Sequence, residues 1–339
     1  MQQEWPASRG GDKMAAVSDV TACSDLPIRI GISTCLLGAE VRYDGGHKRD
    51  AFLVDIFGRY VEWVSVCPEV EMGMGVPREA LRLLRQGDDV RLVTTRTGID
   101  HTVAMRRYAA ARVASLAGHD LCGYVLKKSS PSCGLERVKV YHANGQPAGT
   151  GRGLFAAALV HAYPQLPIEE EGRLCDPRLR ENFVERVFAY RRLRALFAGR
   201  WSLGNLVAFH TAHKLQLLAH ARRGYDALGQ LVAHAKTLPR PELRSRYQTA
   251  FMGALAVMST PARHANVLQH MLGYFSDQLD AGARREIVEL IDDYRRGFVP
   301  LVVPLTLVRH HVRRCAVAYL QGQTYLDPHP KELMLRNHV

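Results

Sequence analysis

Seven cysteines stand in this chain, and three of them share a setting. Cys35, Cys67 and Cys133 each come after an apolar run with the length of a buried strand. The runs are residues 28–33, residues 64–66 and residues 122–126, the last continuing into KKSSPSCG. In an open parallel sheet, ligands gather outside the carboxyl ends of the strands. Thiols in the turns after three different strands can therefore meet at one metal site. Ser, Pro and Gly around Cys133 make a loop whose backbone N–H groups can face an anion or a sulfide. The plainer alternative is that each cysteine is a small buried hydrophobe.

The number three narrows the chemistry. No CxxC pair occurs, which removes the zinc-ribbon and thioredoxin patterns. A structural zinc site closes with four ligands. Three thiolates on a four-iron cluster leave one iron open to a substrate atom. Of the others, Cys122 reads as strand packing, Cys23 falls in a polar N-terminal tail, and Cys175 and Cys315 look incidental to a helical half.

The elements that must position these residues alternate. Strand-like runs at 28–33, 64–66, 90–95, 122–126 and 166–169 are separated by helical patterns at 52–60, 102–116 and 153–163. That order predicts a Rossmann-like α/β domain whose parallel sheet is covered on both faces. Past residue 171 the strand signal ends. Helical spacing runs through 177–198, 203–220, 225–236, 241–258, 262–275, 283–296 and 305–321, which predicts an all-α second domain. The expected division is a disordered tail at 1–27, a cluster domain at 28–171 and a basic helical domain at 172–339.

The chain has 339 residues and a net charge of +12, with 47% hydrophobic and 23% charged residues. Residues 1–170 hold 20 Lys+Arg against 19 Asp+Glu, and residues 171–339 hold 25 against 14, so +11 of the excess lies in the second half. Such asymmetry fits an acidic partner, nucleic acid first. The longest uncharged apolar stretch, residues 297–308, is too short to span a membrane and contains Pro300 and Pro304. The N-terminus lacks the apolar core of a signal peptide. The expected compartment is the cytoplasm, where seven cysteines do not form a disulfide framework.

The motifs STCLLG, VRYDGGHKR, VCPE, PRE and LKKSSPSCG stand in that order between Ser33 and Gly134. On these residues the first half resembles the thiouracil desulfidase family. The second half (LRENFVERVFAY, FHTAHKLQLLAH, HANVLQHMLGYF, VPLTLVRHH) resembles the helical domain often fused to it. Together the matches cover roughly residues 28–330, and the arrangement is similar to bacterial desulfidases acting on 4-thiouridine in tRNA. The resemblance implies a [4Fe–4S] cluster on Cys35, Cys67 and Cys133 and a non-redox, hydrolytic loss of sulfur. It also implies a proton relay at Ser129. The family usually carries a Gly-Leu-Pro-type stretch where this chain reads GMGVPRE, a departure that bears on pocket shape.

A serine is a weak acid–base group and needs a partner, for which Glu69 and Glu62 are candidates. Glu69 could equally cap the turn after Cys67. Asp44 could orient Arg42, contact the substrate base, or only form an Asp-Gly turn. Arg42, Lys48, Arg49, Lys127 and Lys128 flank two signature loops and could bind tRNA phosphates or form a solvated rim. In the helical half His210, His213 and His220 share a helix without a thiolate or carboxylate to complete a zinc site. Arg222, Arg223, Arg263, His264, Arg309, His310, His311, Arg313 and Arg314 are the phosphate-binding candidates there. Three functions remain open: a tRNA 4-thiouridine desulfidase, a desulfidase of free thiouracil-type bases, and a non-enzymatic cluster-bearing nucleic-acid sensor.

Overall fold

The computed structural model describes residues 27–338. The expected disordered tail, with Cys23, therefore lies almost wholly outside the described residues. Among the described residues eight strands are present: β1 (Arg29–Ser33), β2 (Glu62–Val66), β3 (Leu81–Gln86), β4 (Asp89–Thr94), β5 (Gly123–Leu126), β6 (Val138–Tyr141), β7 (Pro147–Gly151) and β8 (Ile168–Glu170). β2, β1, β5 and β8 form one sheet in that order, with every pair parallel. β1 lies in its interior, so Ile30 and Ile32 are fully buried, and the strand reads as a continuous apolar run. Gly31 is fixed by contact: a Cβ there would meet the Tyr124 ring at 2.1 Å.

One face of this sheet is covered by α2 (Thr102–Ser115) and α3 (Leu154–Ala162), which follow the short α1 (Pro68–Glu71). The other face is covered by α4 (Pro177–Leu196), whose Phe183, Val184 and Val187 share a core with Ile30, Ile32 and Val125. That layer comes from beyond residue 171, so the hydrophobic core is continuous across the boundary expected from sequence. Residues 52–60 are also not the single helix expected: a wide π-turn over Phe52–Ile56 runs into a tight 3₁₀ turn over Phe57–Arg59.

A second sheet was not anticipated. β4, β3, β6 and β7 pair in that order, so the strand expected at 90–95 belongs here and not to the parallel sheet. Its geometry follows from two turns. Gly87, at φ +59°, joins β3 to β4 as an antiparallel hairpin, and Gly145, at φ +82°, lies between β6 and β7. Both supply the left-handed backbone that tight hairpins demand. Leu83, Leu92, Val138 and Val140 turn into the core shared with α2 and α3, leaving the other face outward.

The rest is helical: α5 (Leu203–His220), α6 (Arg222–Ala233), α7 (Arg240–Ala256), α8 (Pro261–Leu272), α9 (Ala281–Arg296), α10 (Val302–Arg314) and α11 (Ala318–Gln321). No helix among the described residues is long and apolar enough to cross a membrane. The C-terminal segment returns to α4, where Arg336 donates to Glu181 at 3.1 Å.

Buried histidines make this helical half sensitive to acid. His210 bonds the Tyr247 hydroxyl at 3.2 Å, and His264 sits between Tyr325 and Ser259, each at 2.9 Å. Burial pushes His210 down to about 4 and His264 down to about 3. A depressed folded-state value means the unfolded chain takes up the proton first. The stability is therefore present above pH 6.5 and lost as pH falls towards 4. Replacing His264 by Gln should flatten the fall between pH 6.5 and 4 by up to about 1.4 kcal/mol per pH unit. Denaturant titrations across that range, with parallel curves for variant and parent as the contrary result, check it.

Candidate functional site

Each of the three cysteine loops is held by its own local bonds. After β1 the chain enters a 3₁₀ turn, Thr34–Leu37, closed by Gly38 at φ +99°. The Cys35 carbonyl then accepts the Lys48 N–H at 2.9 Å, folding the VRYDGGHKR segment back over the turn. Cys67 directly follows β2 and precedes Pro68 at the start of α1, and its N–H donates to Glu71 Oε1 at 3.0 Å. In the third loop Ser130 Oγ accepts the N–H groups of Ser132 and Cys133 at 3.3 and 3.1 Å. The Ser132 carbonyl in turn accepts the N–H groups of Phe155 and Ala156, which ties the loop to the start of α3. Gly153 must be bare for this approach, since a Cβ would lie 2.5 Å from the Ser132 oxygen and 3.0 Å from the Cys133 nitrogen.

All three cysteines line one cavity of about 420 Å³, together with Ser129, Glu69 and Lys48. Arg42, Lys127, Lys128 and Arg78 complete its charged wall. The thiols are free. Burial pushes Cys35 up to about 11, with Lys127 pulling the other way. Burial also raises Cys67, and it raises Cys133 well above the usual thiol range, helped by the Glu69 charge. Such thiols are inert until a cation displaces their protons. Among the described residues no group of three or more His, Cys, Asp or Glu could hold a single metal ion. The donors are instead spread around the cavity wall, all sulfur, at the end of one sheet. That set does not suit a mononuclear ion, and it fits a cluster whose bridging sulfides widen the shell of ligands.

Residues 30–171 match the model of the family described as 2-thiouracil desulfurase, and residues 214–330 match a family described as protein of unknown function, DUF1722. The chain is 32% identical over 161 residues to Uncharacterized protein YbgA of Escherichia coli K12, covering 47% of this chain and 95% of that one. It is 31% identical over 148 residues to Uncharacterized protein YbbK of Bacillus subtilis 168, covering 41% and 95%. The chain belongs to the 2-thiouracil desulfurase family. A solved structure titled [4Fe-4S]-dependent thiouracil desulfidase TudS is 31% identical to it, over 44% of this chain and 94% of that one, with a TM-score of 0.36.

Within this desulfurase domain the remaining site candidates separate. Glu69 is engaged on both oxygens: Oε2 accepts from Arg78 at 2.7 and 2.9 Å, and Oε1 accepts the Ser132 hydroxyl at 2.8 Å. Arg78 also donates to the Val41 carbonyl at 3.0 Å, beside the Cys67 sulfur at 3.8 Å from the same oxygen. One buried ion pair thereby joins the loops of all three cysteines. Arg78 lies in the quoted PRE motif, yet sequence reasoning gave it no role. Glu62 is at the far end of β2 from Cys67 and pairs with Arg29 at 3.2 Å, so the strand direction removes it as a partner of Ser129. Asp44 forms an Asx turn, accepting the Gly46 N–H at 3.1 Å and holding Arg42 at 3.3 Å. Arg49 pairs with Asp55 at 2.5 Å and does not line the cavity. Lys127 is ion-paired with Glu171, a cavity-supporting residue that sequence reasoning missed, whose other oxygen accepts the Lys128 N–H at 2.7 Å.

Several helical-half candidates are internal. Arg263 donates to the His220 and Met258 carbonyls, Arg309 bonds the Leu326 carbonyl and Asp327, and His264 and His311 are buried. These four support the fold and do not offer a phosphate surface. His213 and His220 are likewise core groups, bonded to the Phe209 and Val257 carbonyls. Arg222 is exposed and pairs with Asp226 at 2.9 Å, and Arg223, His310, Arg313 and Arg314 are exposed as well.

Arg78 is nearly enclosed, with 5% of its side chain exposed against 14% for Glu69. Removing one partner of a buried pair strands the other and costs about 3–5 kcal/mol. Arg78→Met should therefore unfold at lower denaturant than the parent by about that amount, whereas the double variant Arg78→Met with Glu69→Gln should recover part of the loss. Equal losses in single and double variants would show that the pair is not the tie.

Proposed function

We propose that this chain is a [4Fe–4S]-dependent desulfidase that removes sulfur from 4-thiouridine in tRNA, leaving uridine and sulfide. The observation that carries the reading is the convergence of three free thiols, Ser129 and a cationic wall on one cavity. Its volume suits a single base. Cys35, Cys67 and Cys133 would hold the cluster, which supplies an open iron that polarises a thiocarbonyl as a Lewis acid. The balance needs no electrons: a water oxygen stays on the ring carbon and the sulfur leaves as sulfide.

The chain's own residues would do the rest. Ser129 sits in left-handed backbone at φ +59°, a conformation costing a non-glycine about 1 kcal/mol or more and often kept for function. Its hydroxyl would relay a proton between water and the ring nitrogen. Glu69, held by Arg78, would keep a fixed negative charge at the cavity wall. Arg42, Lys48 and Lys128 would take phosphate oxygens, while Asp44 orients Arg42. In this reading residues 28–171 carry the chemistry and residues 172–339 add tRNA contacts through exposed cations such as Arg313 and Arg314, in the cytoplasm where thiols stay reduced.

Anaerobically reconstituted protein should be brown, with about four iron and four sulfide per chain. Cys35→Ser, Cys67→Ser and Cys133→Ser should each lose the cluster, and Cys315→Ser should keep it. Incubation with thiolated tRNA followed by nucleoside analysis should show 4-thiouridine converted to uridine. Ser129→Ala should retain iron and lose activity by about 10²–10⁴-fold. Colourless protein carrying zinc, or tRNA left fully thiolated beside a converted free base, would overturn the cluster or the tRNA reading respectively.

A further inference from the structure

The outward face of the second sheet carries a second basic feature. A groove of about 600 Å³ runs over β3 and β6, and its lining includes Arg82, Arg137, Lys139 and Tyr141. It shares Ser129, Pro131 and Leu81 with the cysteine cavity, so the two are continuous. The parallel register sets Leu83 opposite Val140, which brings Arg82 level with Lys139 on the opposite, outward side. Like charges in that relation destabilise a sheet unless something neutralises them. Among the described residues no carboxylate forms an ion pair with Arg82, Arg137 or Lys139. The buried Nε of Arg82 has no hydrogen-bond partner. Arg137 adds a third cation from left-handed backbone at φ +56°.

From this we infer that the groove is a track for the phosphodiester backbone of the RNA strand that delivers the thiolated base to Ser129. The inference rests on the desulfidase reading and adds the substrate's form: a nucleotide within a strand, with its flank on the second sheet. The three cations face phosphates there, and Tyr141 offers a ring on which a neighbouring base stacks. A free base would occupy the cysteine cavity and leave the groove untouched. The track also moves the main backbone contact from the helical half, where the charge excess lies, to the sheet beside the chemistry.

The test uses the full-length, cluster-loaded protein and a short RNA hairpin bearing one 4-thiouridine in its loop. Fluorescence anisotropy at several salt concentrations compares the parent with Arg137→Glu plus Lys139→Glu, both exposed positions. Affinity should fall at least tenfold, and the salt slope should shrink by about 1.4, at about 0.7 per phosphate on a single strand. KM for the RNA should rise in step. If cluster absorbance shows that the glutamate pair prevents folding, Arg137→Gln with Lys139→Gln makes the same comparison with half the charge change. Unchanged affinity and slope would overturn the track, as would a loss confined to Arg313→Glu with Arg314→Glu. Parent protein that converts neither the hairpin nor free 2-thiouracil would sink the desulfidase reading, and the anisotropy would then judge the track alone.

Discussion

Parallel pairing of β1 with both β2 and β5 is the constraint from which the site follows. The register Ser33 to Val66 on one side and Ile32 to Val125 on the other levels the carboxyl ends of three neighbouring strands. Cys35, Cys67 and the Cys133 loop leave from those ends, so they have one direction in which to go. Slipping any strand by one residue would turn its apolar side chains to the wrong face. Full burial of Ile30, Ile32 and Leu36, each worth about 1.5–3 kcal/mol, holds that register. The sheet thus fixes the site from below.

Above the sheet edge the Arg78–Glu69 pair ties the loops together, beside the Lys127 N–H to Ser33 Oγ bond at 3.0 Å. Its two charges lie where desolvation is expensive, and a lone pair in such a place gains little. Here the remaining lone pairs and protons are used: Ser132 on one carboxylate oxygen, and the Val41 and Gly75 carbonyls on the guanidinium. The pair therefore spans the Cys35, Cys67 and Cys133 segments with four guanidinium hydrogen bonds in place. The same carboxylate is the charge that helps raise the Cys133 thiol, so the tie that orders the loops also disfavours an unligated thiolate.

Much of this was legible in sequence because period and order are local properties. The apolar runs at residues 28–33 and 122–126 are strands buried on both faces, and the helical spacing at 102–116 and 203–220 is matched by α2 and α5. The second sheet was not read, although Gly87-Asp88 and Asn144-Gly145 are hairpin signals. Its strands β6 and β7 are short: Val138–Tyr141 alternates over only four residues, and Pro147–Gly151 carries no large apolar side chain. Sequence also could not say that α4 roofs the first sheet. Gly123 is what permits it, since a Cβ there would meet Val187 at 2.8 Å. Arg78 was visible as a residue, but its role depends on three loops meeting.

Charge counted along the chain does not show how the fold spends its cations. The second half holds the excess of positive residues, yet Arg336 and Arg263 lie inside the helical packing and Arg309 spans to Leu326 and Asp327. A cation spent on carbonyls and carboxylates within the fold contributes little field to a partner. Arg82, Arg137 and Lys139 come from a half whose net charge is only +1, yet several of its carboxylates are engaged elsewhere: Glu69 on Arg78, Glu71 on Tyr108 and Arg112, Glu170 on the backbone of Leu135. Glu69 and Glu170 of this half organise the Cys133 loop, and Arg82 and Lys139 on the outer sheet are left facing one another. Electroneutrality summed along a sequence is therefore compatible with a concentrated positive surface. What a polyanion meets is set by which partners the fold has already consumed.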